Sequence, residues 1–293
     1  MNDQLQTIAI DGGGTRCRVA GGFGERRHVI EVGSANVSTD LDGSISEILR
    51  GLEKLASDLG ISLSELERVP AYIGLAGASW PDIATKVAGK LPFDHVRVED
   101  DRRSAARGAF GHDDGILVHC GTGSFQLMQR AGRITLAGGW GPVLGDEASA
   151  QWVGRKALTA VLRVCDGLKP ASPLIEQLHE KFGPPGDIVA YAGTASPADF
   201  GAIARYVTAA AGRKDRIAIE ILQDGADHIM TELRSLGWSQ GLPLMLTGGI
   251  AGHYAGYLEF PMQSALAQPK GQPIDGALSL AQEFAEELSL CSV

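Results

Sequence analysis

Several hallmarks of secreted, metal-bound and membrane proteins are missing from this sequence. Its 293 residues contain only four cysteines, which are widely separated and form no C-x-x-C pair. This pattern argues against a disulfide framework or a zinc site. No apolar run is long enough to cross a bilayer, and Met1–Gln4 show neither the basic start nor the apolar segment of a secretory signal. These absences predict a cytoplasmic protein.

Positive charge is also scarce. The 26 Lys and Arg residues are outnumbered by 35 Asp and Glu residues, which gives a formal net charge of -9, and no Lys/Arg-rich run occurs. A nucleic-acid partner is therefore not expected. The chain also lacks a G-x-x-x-x-G-K-[ST] segment, which argues against a P-loop NTPase.

Glycine, in contrast, is abundant and clustered, with 39 residues in all. Clustered glycines indicate turns at which the backbone approaches another group closely. The first cluster lies between the β-type runs Thr7–Ile10 and Cys17–Ala20, which predicts a hairpin. The pattern recurs later, where Gly121–Gly123 separates the runs Ile116–His119 and Ser124–Gln129. This weak internal repeat predicts two similar hairpins in two similar domains.

The remaining pattern is that of an α/β protein. A capping box at Ser44–Glu47 begins an amphipathic helix that Gly60 should end. The polar segment 111–115 is turn-forming, so we predict domains at residues 1–112 and 113–293, with a last helix able to pack back on the first domain. Further strands are expected at Ala71–Leu75, His95–Val98 and Leu244–Leu246, and helices at Pro81–Lys90 and Ser104–Phe110.

The segment Asp11–Thr15, with the sequence DGGGT, is the strongest local signal. Three glycines allow consecutive N–H groups to converge on a phosphate, and Thr15 adds a hydroxyl donor. Asp11 offers a hard oxygen for Mg²⁺, which usually keeps several water ligands. A tight hairpin without a ligand is the alternative. The second turn, Gly121–Ser124, is open to the same two interpretations.

Three acidic residues, Glu99, Asp100 and Asp101, come at the end of a predicted strand. A carboxylate in that position can accept the proton of an attacking hydroxyl. A solvated acidic turn that caps the next helix is the alternative. Spacing alone does not separate Asp100 from Asp101.

The glycine-rich segment Gly138–Glu147 leads directly into a long predicted helix. Asp146 is then expected near a helix N-terminus, either as a cap or as a ligand for sugar hydroxyls. Trp140 could face a sugar ring, but for a tryptophan in a glycine-rich turn we expect packing in the core. Thr247–Gly249 follows an apolar strand and suits either the approach of an adenosine or an ordinary turn.

The order of these motifs resembles the sugar kinase/actin/Hsp70 ATPase superfamily, and within it the BadF/BadG/BcrA/BcrD-type ATPases, which include N-acetylglucosamine and glucosamine kinases. The resemblance extends from Ile10 to about Ala281, and the segment around Trp140 and Asp146 is its most specific part. The matching segments are Asp11–Thr15, Asp101 with Ser104–Ala109, Gly121–Ser124, Gly138–Glu147 and Leu246–Ala251.

The resemblance implies an α/β fold of two ribonuclease H-like (actin-like ATPase) domains with the nucleotide and the sugar in a cleft between them. It also implies ATP-dependent phosphorylation of an amino sugar with Mg²⁺, and a homodimer would fit the family. Asp101 aligns, by its distance to Gly108–Ala109, with the carboxylate that activates the sugar hydroxyl. Asp11 would lie near Mg²⁺. The implied ATP-binding residues are Gly12, Gly13, Gly14, Thr15, Gly121, Thr122, Gly123, Ser124, Gly248 and Gly249, and the other implied sugar contacts are Asn36, Gly139 and Asp146.

One departure and two rival functions accompany this resemblance. Phe125 stands where animal N-acetylglucosamine kinases have an Asn that meets the sugar, so the identity of the sugar stays open. An ATPase that activates a partner enzyme would keep both glycine turns but need no sugar acceptor. A sugar sensor without catalysis would lack the base or the phosphate turns, and this sequence has candidates for both.

Overall fold

The structure is a computed structural model that describes residues 5–23 and 26–291. Met1–Gln4, on which the prediction about a secretory signal rests, lie outside the described residues. The chain divides into two compact units, and the first division falls between Asp113 and Asp114. Unit 1 comprises Met1–Asp113 and Pro269–Val293, and unit 2 comprises Asp114–Gln268. The last helix therefore belongs to unit 1.

The elements occur in the following order. The strands are β1 (Leu5–Gly12), β2 (Cys17–Phe23), β3 (Arg26–Val32), β4 (Ala71–Leu75), β5 (Val96–Asp100), β6 (Gly115–Cys120), β7 (Ser124–Arg130), β8 (Arg133–Gly138) and β9 (Leu244–Thr247). The helices are α1 (Leu41–Leu59), α2 (Leu63–Glu67), α3 (Pro81–Ala88), α4 (Asp101–Phe110), α5 (Gly141–Leu144), α6 (Ala150–Cys165), α7 (Pro173–Phe182), α8 (Pro185–Thr194), α9 (Pro197–Gly201), α10 (Ala204–Gly212), α11 (Arg216–Leu236), α12 (Phe260–Ser264) and α13 (Pro273–Cys291), with a 3₁₀ helix at Ala251–Tyr257.

The two units share one sheet topology, which confirms the predicted pair of hairpins. In unit 1 the strand order is β3-β2-β1-β4-β5, and in unit 2 it is β8-β7-β6-β9. In each sheet three consecutive strands are antiparallel, and the next strand of the unit lies parallel to the first of them. Unit 1 adds β5, parallel to β4. The two glycine-rich turns therefore hold equivalent positions in their sheets.

Both faces of the unit 1 sheet are covered. Ile8 and Ile10 of β1 face the main core, in which α1 also buries its apolar stripe. Ala9, between them in sequence, faces the opposite side, where it packs with Ala277 and Ala281 of α13. This alternation follows from the two-residue period of a strand, and small residues on the second face allow α13 to approach closely.

The start of α1 differs from the prediction. The helix begins at Leu41 after the N-cap Asp40, whose side chain accepts a hydrogen bond from the Gly43 N–H. The predicted capping box at Ser44–Glu47 is wrong because both residues lie inside the helix, and the Glu47 carboxylate accepts from the Gly33 N–H at 2.6 Å. Gly60 does end the helix, in a left-handed conformation with φ 69°. Within the described ranges, no helix is long and apolar enough to cross a membrane.

Candidate active site

In unit 1, the acidic residues Glu99, Asp100 and Asp101 lie at the end of β5 and the start of α4, and two of them are already paired. Glu99 accepts from the Tyr72 hydroxyl at 2.8 Å and from Arg103 at 2.7 Å. Asp100 is the N-cap of α4. Asp101, the first residue of α4, shares a side-chain hydrogen bond with Asp100, and this contact between two carboxyl groups favours the protonated form of Asp101.

The Asp100 carboxylate is held by two side chains. It accepts from the Arg102 backbone N–H at 3.0 Å and from the Arg102 guanidinium at 2.9 Å, and the Ser79 hydroxyl donates to it as well. Burial opposes ionisation of Asp100, but the hydrogen bonds and charge of Arg102 together with Ser79 hold its pKa below the usual value. The Asp100 carboxylate is therefore ionised and paired within the protein.

Asp101, in contrast, is a carboxyl group with a strongly raised pKa. Burial, followed by the negative charges of Asp100 and Asp11, raises the pKa of Asp101 to about 8, against the opposing charge of Arg102. A carboxyl group whose pKa is raised this far is a typical general base or acid. Asp101 therefore differs from Asp100, whose pKa is held below the usual value.

Asp11, at the end of β1, is a second carboxyl group with a raised pKa. Its side chain lies 3.6 Å from Arg18 on the facing strand. Burial nevertheless raises the pKa of Asp11 to about 6, against the charges of Arg18 and Arg16. Asp11 and Asp101 thus disfavour each other's ionised form, and a divalent cation would relieve this repulsion.

Magnesium suits these residues. Among the described residues, no three His, Cys, Asp or Glu side chains converge to form a metal site. Mg²⁺ is, however, usually held by one or two carboxylates together with waters and substrate phosphates. A carboxylate such as Asp11, at the mouth of a glycine turn, fits that mode of binding.

The three glycines after Asp11 differ in whether the fold leaves room for a side chain. A Cβ atom at Gly12 would overlap the Leu75 side chain and lie 3.1 Å from the Ala35 Cβ, so packing requires this glycine. At Gly13 and Gly14 the nearest atoms would be 3.6 Å and 3.9 Å away, and neither residue has a positive φ. Their lack of a side chain is therefore not needed by the fold, and it leaves the backbone open to a ligand.

The Asn36 loop is joined to the same end of the sheet. Asn36 forms a parallel bridge with Ala76, which directly follows β4. Its side-chain Oδ1 accepts from the Ser38 N–H at 3.1 Å and from the Ser38 hydroxyl at 2.7 Å. A Cβ atom at Gly14 would lie 3.9 Å from its Nδ2. The structure thus brings Asn36 to the Asp11–Thr15 turn.

In unit 2, the predicted residues form a second group around the β6–β7 turn. The Gly121 N–H donates to the Gly123 carbonyl at 2.9 Å, which closes the turn. Gly248, with φ 91°, is pressed against it, because a Cβ atom there would overlap the Cys120 carbonyl and lie 2.8 Å from the Gly121 nitrogen. Gly249 has open space around it.

Asp146 connects this turn by hydrogen bonds to the segment before α6. Its carboxylate accepts from the Ser124 N–H at 3.3 Å, from Gln151 at 3.1 Å and from the Gly141 N–H. Burial raises the pKa of Asp146, although these hydrogen bonds oppose the rise. The helix is capped instead by Ser149, which accepts from the Trp152 N–H at 3.2 Å. Asp146 is therefore not the N-cap.

Ser124 and Trp140 differ from the expectations drawn from the sequence. Ser124 is buried, and its hydroxyl donates to the Glu147 carbonyl while its N–H donates to Asp146. Its donors thus stabilise the turn. The prediction that Trp140 packs in the core is wrong, because Trp140 is 69% exposed. It follows Gly138 and Gly139, whose positive φ angles of 71° and 74° direct the chain outward.

Sequence patterns gave no indication of several residues near these two groups. Arg18 pairs with Asp11 across the β1–β2 hairpin, and Ser79 and Arg102 pair with Asp100. His119 stacks on Phe125 at 5.0 Å between ring centroids and lies 3.2 Å from the Thr247 hydroxyl. Burial lowers the pKa of His119 to about 4, so the ring is neutral at physiological pH. The β6–β7 register places His119 opposite Phe125.

Comparisons with known proteins identify the relatives of this chain. Residues 8–278 match the BadF/BadG/BcrA/BcrD ATPase family. The glucosamine kinase of Vibrio cholerae is 28% identical over 94% of this chain and 95% of its own length. A solved structure from Chromobacterium violaceum, named as a candidate N-acetylglucosamine kinase, is 29% identical, with a TM-score of 0.84 over 96% of this chain and all of the other.

A more distant structure supports the fold alone. A ROK family glucokinase from Streptomyces griseus, solved with glucose and AMPPNP, is 15% identical and has a TM-score of 0.56 over 97% of this chain and 99% of its own. Together with the two sheets of equal topology, these neighbours confirm two ribonuclease H-like domains of the actin-like ATPase type.

Proposed function

Because this chain belongs to the BadF/BadG/BcrA/BcrD ATPase family, we propose that it is an ATP-dependent hexosamine kinase that phosphorylates an amino sugar such as glucosamine or N-acetylglucosamine. The observation that carries the proposal is the Asp101 carboxyl group, whose pKa is raised by burial and by the charges of Asp100 and Asp11, while arginine side chains pair with Asp100 and Glu99. An alcohol acceptor needs such a group, because its hydroxyl proton must leave as the phosphoryl group arrives.

In this proposal Asp101 acts as the general base. It accepts the proton of the acceptor hydroxyl and orients that oxygen for in-line attack on the γ-phosphorus. Its raised pKa makes it a stronger base than an ordinary aspartate once it is ionised. Asp11 is the residue that would hold Mg²⁺; this ion neutralises phosphate charge when bound and favours the ionised form of nearby carboxyl groups.

The two glycine turns bind the phosphates of ATP in this proposal. The backbone of Gly12–Gly14 and of the Gly121–Gly123 turn lines the phosphates. The Gly14 N–H, the Thr15 hydroxyl and the Thr122 N–H donate to phosphate oxygens, while the Gly13 and Gly121 N–H groups already donate to the Arg16 and Gly123 carbonyls. Backbone donors in a turn are suited to this because they need no rearrangement during the reaction. Gly248 and Gly249 contact the adenosine, and the open space at Gly249 is consistent with that role.

Three further residues bind sugar hydroxyls. The Asn36 Nδ2 donates, since its Oδ1 is engaged by Ser38. The backbone at Gly139 and the carboxylate of Asp146 contribute as well. An ionised carboxylate has about four acceptor positions, and Asp146 uses three of them within the protein. One position therefore remains for a sugar hydroxyl.

ADP release by the purified protein tests the proposal. Mg-ATP is supplied with glucosamine, N-acetylglucosamine, N-acetylmannosamine, glucose or no sugar. We expect strong stimulation by one amino sugar and formation of its phosphate ester. Turnover that is indifferent to every sugar would instead favour an ATPase that activates a partner enzyme. That alternative has less support, because the relatives with more than 25% identity reported above are named as kinases.

A further inference from the structure

Trp80 is an exposed tryptophan next in sequence to a residue that is hydrogen-bonded to Asp100. It is 62% exposed, although tryptophan is highly buried on average in folded proteins. The preceding residue, Ser79, donates its hydroxyl to the Asp100 carboxylate and accepts from the Arg102 guanidinium at 3.0 Å. The backbone of Trp80 is thereby tied, through Ser79, to the residue that directly precedes Asp101.

The exposure of Trp80 does not come from a loose loop. At the start of the loop, the Ala76 N–H donates to the Gly12 carbonyl at 2.8 Å. At its end, Trp80 is the N-cap of α3, and its carbonyl accepts from the Ile83 and Ala84 N–H groups at 3.0 and 3.1 Å. Pro81 also restricts the Trp80 backbone to an extended conformation. The fold thus fixes the indole's attachment point while leaving its surface open to solvent.

The other tryptophans put this exposure in context. The chain has four, and two of them, Trp152 and Trp238, pack against the core of unit 2. The other exposed one is Trp140, which follows Gly139. One exposed tryptophan therefore follows a residue that is hydrogen-bonded to Asp100, and the other follows Gly139, whereas the remaining two pack against the core.

We propose that Trp80 forms a binding subsite for the apolar C–H face of the substrate's pyranose ring, an assignment that rests on the proposed function. A pyranose carries hydroxyls at its edge and C–H groups on its faces. The polar groups of Asp101 and Asn36 match the edge, and a large flat aromatic ring matches a face. Because the Trp80 backbone is fixed in advance, the ordering cost of this contact is small. Trp80 thereby sets affinity for the sugar and leaves affinity for ATP unaffected.

Steady-state kinetics of Trp80→Leu and Trp80→Phe test this subsite, with Phe260→Leu as the matched control. Phe260 is 79% exposed and lies on α12. For Trp80→Leu we expect a roughly tenfold rise in KM for the sugar, the size of one lost aromatic contact, with KM for ATP unchanged. Trp80→Phe should recover most of the affinity, and Phe260→Leu should behave as wild type.

A second measurement does not depend on turnover. Titration of the wild-type protein with the best sugar, without ATP, should change the tryptophan fluorescence, and Trp80→Phe should lose that change. An unaltered sugar KM in Trp80→Leu, or an equal fluorescence change in Trp80→Phe, would overturn the subsite while sugar-stimulated ADP release by the wild type still upheld the kinase. If no sugar stimulates the wild type, the proposed function fails first, and the subsite fails with it.

Discussion

Gly74 of β4 and Ser104 of α4 are in such close contact that a Cβ atom at Gly74 would overlap the Ser104 hydroxyl. The same Cβ would lie 3.4 Å from the Cα of Asp101. Ser104 is fully buried, and its hydroxyl donates to the Asp101 carbonyl at 3.2 Å. On its other side, α4 meets Gly276 of α13, where a Cβ would overlap the Ser104 carbonyl. Two glycines therefore fix where the helix that carries Asp101 begins.

The first prediction concerns Gly74→Ala. The added methyl must displace α4, which should lower the free energy of unfolding by about 1–3 kcal/mol and reduce kcat, because Asp101 moves with the helix. Removing the obstructing oxygen in the double variant Gly74→Ala/Ser104→Ala should recover part of both losses. Urea denaturation of the two single variants and the double variant measures the coupling. Strictly additive losses would contradict the contact described here.

The second prediction concerns Asp101→Asn. The amide cannot accept the hydroxyl proton, so kcat should fall by roughly 10²–10⁴-fold. The affinity for ATP should stay near that of the wild type, as measured by calorimetric titration with a non-hydrolysable analogue. Glu99→Gln is the matched control, since Glu99 is paired with Tyr72 and Arg103 and has no proposed chemical role. Near-normal turnover in Asp101→Asn would remove Asp101 as the general base.

The third prediction links the pKa of Asp101 to stability. Burial and the charges of Asp100 and Asp11 raise that pKa from 3.8 to about 8. Between these two values the folded protein holds a proton that the unfolded chain has released, so this group makes stability fall as pH rises through that window. Asn at this position does not titrate. The difference in melting temperature between Asp101→Asn and the wild type should therefore increase in favour of the variant from about pH 5 to about pH 8. Above about pH 8 this difference should stay constant.

Scanning fluorimetry without nucleotide, at half-unit pH steps, checks this dependence. Asp11, whose pKa is also raised, adds a change below about pH 6 that both proteins share. A melting-temperature difference that stays constant across the range would show that the Asp101 carboxyl has an ordinary pKa in the folded protein.

The fourth prediction separates ligand approach from packing at the first glycine turn. Gly13→Ala should leave the melting temperature nearly unchanged, because the added Cβ would meet its nearest neighbour at 3.6 Å. If phosphate oxygens pack against the Gly13 backbone, the same methyl should raise KM for ATP by about tenfold or more. Gly186→Ala on α8 is the control, since its surroundings are open and it has no proposed role. An unchanged KM for ATP in Gly13→Ala would argue that the turn is only a hairpin.

The local elements were predictable because their signals are local. The two glycine-punctuated hairpins, the end of α1 at Gly60 and the strand Ala71–Leu75 all follow from periodicity and turn residues within a few positions of one another. The start of α1 was not predictable in this way, because Asp40 and Ser44 are both suitable N-cap residues. The outcome depended on Gly33, which binds Glu47 from a separate loop.

The sequence by itself determined the order of strands and helices along the chain, the two equivalent turns and the family, since each depends on residue types at short spacing. Only the tertiary structure decided which carboxyl groups are available. Asp100 is paired with Arg102 and also with Ser79, which the fold brings against it from a separate loop. The pKa of Asp101 is raised by burial, by Asp100 and by Asp11, which β1 brings close. Tertiary structure also decided that Trp80 and Trp140 are exposed. Pairing and burial depend on partners that the fold brings together, and the spacing of residues along the chain carries no record of them.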